Sequence, residues 1–214
     1  MWRYFLIATI AVAVVGLSGC DSNEDAEPLV MHCAAGIKKP VSAIAEQYEK
    51  EYGVRVQIQY GGSGTLLTGL EIAKGDIYLA ADSSYTEIAR EKGLIAETMP
   101  VALMKAGFGV KKGNPKGITK LSDIKNPDLK IGIGNPNAAS VGKFTQQILT
   151  KHNLWEGFDP TVLFPTVNEL ANATKLGTVD ASILWDAVAY QYPEVDFVSL
   201  PEFDAEKKDI TIGV

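Results

Sequence analysis

Two glycine-rich stretches, one serine and two histidines are the residues whose types and spacing could do chemistry in this chain. Tyr60-Gly-Gly-Ser-Gly-Thr65 separates an alternating apolar run, Val54 to Tyr60, from a helical one, Leu66 to Ala73. Gly-x-Ser-x-Gly at such a junction would set Ser63 on a sharp elbow as a hydrolase nucleophile. Thr65 stands where the last glycine belongs, and the base is scarce. His32 is followed by apolar residues in a strand-like run, and His152 falls near the end of a helical one, where a cation meets a favourable dipole. Core packing and helix capping account for both, and two histidines are a poor set for a transition metal.

The second stretch, Ile131-Gly-Ile-Gly-Asn-Pro-Asn-Ala-Ala-Ser-Val-Gly-Lys143, has the strand, the glycines and the helix-opening Gly-Lys of a phosphate-binding loop. It departs in two places: the required first glycine falls at Asn137, and the magnesium-holding hydroxyl at Phe144. What survives is a loop whose N–H groups point out of a helix start. The same arrangement recurs where Gly36 precedes the helix at Lys39, where Gly62-Ser63-Gly64 precedes Leu66, at Ser140-Val141-Gly142, and at Val167-Asn168. Each start alone is ordinary helix capping. Four of them meeting in one cleft would hold an anion with neutral donors, because every helix start carries unpaired N–H groups and a partial positive charge.

Positioning them requires strands that end where those helices begin. From Leu29 the chain alternates strand-like and helix-period segments in a parallel α/β pattern: strand Leu29–Ala35, helix Lys39–Tyr52, strand Val54–Tyr60, helix Thr65–Lys74, strand Ile77–Ala80 and helix Tyr85–Lys92. Val101–Lys111 reads as one long strand crossing between lobes. A second series follows, with helix Ser140–Lys151, strand Val162–Phe164, helix Glu169–Leu176, strand Ala181–Trp185 and strand Phe197–Leu200. The expected fold is α/β and two-lobed, with its ligand in the cleft between lobes. Lobe 1 covers 29–104, lobe 2 covers 105–200, and 201–214 returns toward lobe 1. Ile210 to Val214 ends the chain in an isolated strand without a covering helix, as in a truncated chain or one that has lost its closing helices.

The 214 residues are 46% hydrophobic, enough for a core of ordinary size, and the formal charge of −6 excludes a phosphate-neutralising nucleic-acid surface. Residues 1–20 stand apart: one basic residue, a short apolar run from Phe5 to Leu17, then Leu17-Ser-Gly-Cys20. This resembles a bacterial lipoprotein signal, with Cys20 as the acylated first residue and residues 21–28 as a flexible tether. Cys33, with no partner for an internal disulfide, reads as a small buried residue.

The order and spacing of Ala34-Ala35-Gly36, Tyr60 to Thr65, Ala81-Asp82, Gly134-Asn-Pro136, Val167-Asn168-Glu169 and Ile183-Leu-Trp-Asp186 resemble the molybdate-binding proteins of ABC transporters, in the second type of the periplasmic-binding superfamily. The likeness runs from Leu29 to about Phe203. In that family two serines, backbone N–H groups at two helix starts and a tyrosine hydroxyl hold a tetrahedral oxyanion. Ser63 falls on the second serine, and Val141 and Asn168 on the backbone donors. The first serine is Gly36 here, and the tyrosine is Trp185, which can donate only through its indole N–H. Asp82 and Asp186 read as helix caps. The resemblance implies a monomeric, lipid-anchored binding protein facing the periplasm or exterior, with an ABC permease and its ATPase subunits as partners, no catalysis and no cofactor. Other anions, a cleft hydrolase and a sensory protein are the alternatives.

Overall fold

Residues 27–214 are described by a computed structural model of the chain. β1 (Leu29–Ala34), β2 (Val56–Gly61), β3 (Ile77–Ala80) and β4 (Thr98–Met104) join a late strand, β10 (Lys208–Gly213), in one five-stranded sheet ordered β2-β1-β3-β10-β4. β5 (Ala106–Lys111), β6 (Ile131–Gly134), β7 (Val162–Phe164), β8 (Ala181–Trp185) and β9 (Val195–Ser199) form a second, ordered β7-β6-β8-β5-β9. The two sheets are the centres of two lobes, and the fold is the two-lobed α/β architecture the sequence pattern implied.

Two strands depart from the parallel pattern. β10 runs antiparallel between β3 and β4, so the terminal strand is a paired interior member of the first sheet and not an isolated one. β5 runs antiparallel to both β8 and β9. The single strand read over Val101–Lys111 is two strands in different sheets, divided at Lys105. Apolar residues flank Lys105 on both sides, which hides the division from periodicity. The backbone there is fixed by the second lobe: Asp186 N–H donates to the Lys105 carbonyl at 2.9 Å, and Lys105 N–H donates to Asp186 Oδ1 at 3.3 Å.

Helices join the strands in the expected order. α1 (Lys38–Tyr52) follows β1 through a single 3-10 turn at Ala35–Ile37 and stops at Gly53, whose φ of 69° is the left-handed conformation that glycine adopts without strain. α2 (Ser63–Ile72) follows β2, and α3 (Ser83–Glu91) follows β3 with Asp82 as its N-cap, accepting from Ser84 N–H at 2.9 Å. In the second lobe α4 (Ser140–Lys151) follows β6, and α5 (Val167–Leu176) follows β7 behind a capping box between Thr166 and Glu169. The short α6 (Asp186–Ala189) and α7 (Pro201–Asp204) complete the chain. His32 is buried in β1 with neither ring nitrogen bonded, and burial holds its pKa below the ordinary histidine value. His152 caps the C-terminus of α4. Cys33 is fully buried, and desolvation pushes its thiol up to about 12, so it is an inert core residue. Cys20 and the leader lie outside the described residues.

Candidate functional site

Each of four loops carries a strand end into a helix start, and all four meet between the lobes. Ala34 to Gly36 lead into α1, Gly61 to Ser63 into α2, Ala139 to Val141 into α4, and Val167 opens α5. Together with Ala81 and Trp185 they line a partly open cavity of about 10 Å³, roughly the room for one water, so a tetrahedral anion enters it only as the lobes part. No charged side chain lines it. Its polarity comes from helix-start N–H groups and from Ser63 and Ser140, a composition suited to an anion held by hydrogen bonds and not by counter-charge.

Ser63 is 1% exposed and fixed on two sides. Its Oγ accepts from Ala81 N–H at 3.2 Å, and its carbonyl accepts from the Tyr78 hydroxyl at 2.8 Å. With the oxygen already accepting, the hydroxyl proton is the free valence. No base stands ready to remove it, since His32 and His152 are both absent from the cavity lining. The nucleophile reading therefore lacks its second member.

The glycines around Ser63 serve a different contact from the one expected. Gly64 and Thr65 N–H, the second and third positions of α2, donate across the cleft to the Ala138 carbonyl of the second lobe at 3.0 and 3.3 Å. A Cβ on Gly62 would lie 2.3 Å from that same oxygen and 2.7 Å from the Pro165 carbonyl. The bare backbone at this point lets lobe meet lobe, while Ser63 is the part of the stretch that faces the cavity.

Gly36, Ser63, Val141 and Trp185 all line the cavity as the sequence placed them. Asn168 is not on the lining. Val167 supplies the lining, and Asn168, next on α5, faces an adjoining pocket with its Oδ1 buried and unbonded. Trp185 is 1% exposed and stacks on Phe144 with centroids 5.6 Å apart. A Cβ on Gly36 would come 3.6 Å from Trp185 Cδ1, 3.2 Å from Val167 Cγ1 and 3.3 Å from Val188 Cγ2. Val167 and Val188 are the tight neighbours of that position, while Trp185 is at ordinary contact distance. Asp82 and Asp186 stay outside, the first capping α3 and the second accepting from Ala187 N–H at 2.8 Å. Sequence reasoning had no signal for Ala138, which acts through its carbonyl and is announced by no side chain; Ser140, part of a helix start read from the sequence, lines the cavity.

The profile of the family described as bacterial extracellular solute-binding protein matches residues 29–214. This chain belongs to that family. A relative, the molybdate-binding protein ModA of Escherichia coli strain K12, is 26% identical over 225 residues, covering 98% of this chain and 84% of ModA. The periplasmic molybdate-binding protein of Azotobacter vinelandii superposes with a TM-score of 0.69 at 21% identity, covering 87% of this chain and 84% of that one. The sulfate-binding protein SubI of Mycobacterium tuberculosis reaches a TM-score of 0.75 at 17% identity, covering 87% and 75%.

The lobes meet through apolar packing, since one core cluster takes residues from both, and through a set of polar contacts. Gln191 Nε2 donates to the Gly36 carbonyl at 3.1 Å, Lys39 Nζ to the Gln191 carbonyl at 3.1 Å, and Lys143 Nζ to Ser84 Oγ at 3.1 Å, above the Tyr85 ring. With the Ala138 carbonyl, these contacts hold the two lobes together around the cavity.

Proposed function

We propose that this solute-binding protein closes on a tetrahedral oxyanion, molybdate or tungstate first, and delivers it to the permease of an ABC importer without chemical change. The observation that carries this reading is the convergence of four helix starts and one oriented hydroxyl on a small cavity with no charged lining. The names of the relatives support an oxyanion, and SubI keeps sulfate in the comparison. Calorimetric titration of the protein from Asp21 onward with molybdate, tungstate, sulfate and phosphate tests it. One site per monomer is expected, with molybdate and tungstate tightest; heat from none of the four overturns the reading.

Selectivity should reside at Trp185. Trp185→Tyr replaces an indole N–H by a hydroxyl and frees volume beside Gly36, so the order of affinities among the four anions is expected to change. Equal shifts for all of them would remove Trp185 from the ligand's surroundings.

Membrane attachment rests on Leu17-Ser-Gly-Cys20. Cys20→Ser is expected to move the protein from the membrane fraction to the soluble one while anion affinity stays unchanged, because acyl chains supply the membrane affinity. Unaltered fractionation would remove the anchor from the account.

A further inference from the structure

Asp82 is 2% exposed and stands one residue behind the cavity wall: Ala81 lines the cavity, and its N–H donates to Ser63 Oγ. A carboxylate there opposes the proposed ligand, because a buried negative charge is poorly screened and repels an anion held close by. The cap bond does not cancel it. Ser84 N–H is a neutral donor to Oδ1, and asparagine caps a helix as well as aspartate does, so capping alone asks for no charge. Oδ2 faces Lys208 Nζ at 3.7 Å, the one cation within 4.0 Å of it among the described residues.

The fold brings Lys208 to this place. β10 runs antiparallel beside β3 with Thr211 against Ala80, so its first residue, Lys208, lies along the loop that follows β3. The same ammonium sits 4.8 Å from the ring centroid of Phe144 in the second lobe. Phe144 in turn stacks on Trp185, a residue of the cavity wall. The ion pair is therefore one residue removed from the lining on both lobes. With its side chain 24% exposed and an aromatic face beside it, Lys208 is screened less than a free surface lysine.

Resting on the oxyanion reading, we propose that Lys208 is a positioning charge for the anion: it sets affinity by cancelling Asp82 behind the cavity, and neither side chain touches the ligand. The anion then meets neutral donors in front and a neutral pair behind. Without the lysine charge the carboxylate opposes the ligand, and without the carboxylate charge the lysine attracts it. The two substitutions act on affinity with opposite signs, which a packing or capping role does not produce.

The test titrates the protein and its Lys208→Met, Asp82→Asn, double and Lys208→Arg variants with molybdate, tungstate, sulfate and phosphate by calorimetry. Methionine keeps an apolar stem at 208, and asparagine keeps the cap at 82. Lys208→Met is expected to weaken the anions that bind the parent by about tenfold, Asp82→Asn to tighten them by about threefold or more, and the double variant to return to within about threefold of the parent. Lys208→Arg, which keeps the charge, should also stay within about threefold. If Asp82→Asn weakens binding, or the double variant is as weak as Lys208→Met, the charge pair does not tune affinity; the proposal fails while the oxyanion reading stands on the parent's own binding. Asp82→Asn keeps the test decisive should Lys208→Met not fold. If the parent binds none of the four anions, the oxyanion reading falls and this inference with it.

Discussion

Gly62→Ala is expected to lower oxyanion affinity by about 100-fold or more while leaving the unliganded protein as stable as before. The added Cβ would lie 2.3 Å from the Ala138 carbonyl oxygen and 2.7 Å from the Pro165 carbonyl, both in the opposite lobe. Gly62 has φ −68°, a conformation any residue accepts, so the whole effect is contact between lobes and none of it backbone strain. Backbone oxygens on a packed lobe do not move aside as a flexible side chain would. The lobes must instead stay apart, which breaks the Gly64 and Thr65 bonds to Ala138 and opens the cavity to water. Overpacking of this kind costs about 3 kcal/mol, or about 100-fold in a binding constant that depends on closure. Calorimetry reads the affinity, and small-angle scattering reads the more open form. Gly142→Ala is the instructive contrast: its Cβ would meet the Gly134 carbonyl at 2.2 Å inside one lobe, so there thermal stability should fall. An affinity for Gly62→Ala within threefold of the parent would show that ligand binding does not need this closed contact.

That contact also marks where sequence reading stopped. The strands and helices bearing the site were legible because their apolar periods are unbroken, and α4, β7 and β8 fall on their expected residues. Ser63, Gly36, Val141 and Trp185 were legible because a strand end followed by a helix start places a residue at the cleft whatever its neighbours. The purpose of Gly62 was not. A glycine announces close approach, but what approaches is the carbonyl of Ala138, distant in sequence and indifferent to its own side chain. Likewise the glycine at 36 departed visibly from the family pattern, yet only the structure shows that it is Val167 and Val188 that crowd the place of its missing side chain. The crossing at Lys105 was hidden for a related reason: both halves of Val101–Lys111 are apolar enough for one strand, and the break depends on Asp186, which arrives from the other end of the second lobe.

Ser63→Ala is expected to weaken every tetrahedral anion by roughly 10- to 150-fold without changing their order, because it removes one hydroxyl donor to a charged group, worth about 1.5–3 kcal/mol. The geometry gives the hydroxyl a defined task. Ala81 N–H donates to Oγ at 3.2 Å, so the serine proton points away from that bond, and the serine carbonyl is pinned by the Tyr78 hydroxyl at 2.8 Å. A donor so constrained costs little to order when the ligand arrives. The same bond predicts a separate loss in the free protein, since alanine leaves the Ala81 N–H buried without its acceptor, at about 1–3 kcal/mol of stability. Affinity and stability should therefore fall together in this variant, whereas in Gly62→Ala affinity should fall alone. The uniformity across anions follows from what the hydroxyl sees: one oxygen of the ligand, in a cavity whose other donors are backbone N–H groups set by helix geometry. Loss of stability with no loss of affinity would mean that Ser63 holds only the loop at Ala81, and that the anion lies elsewhere between the lobes.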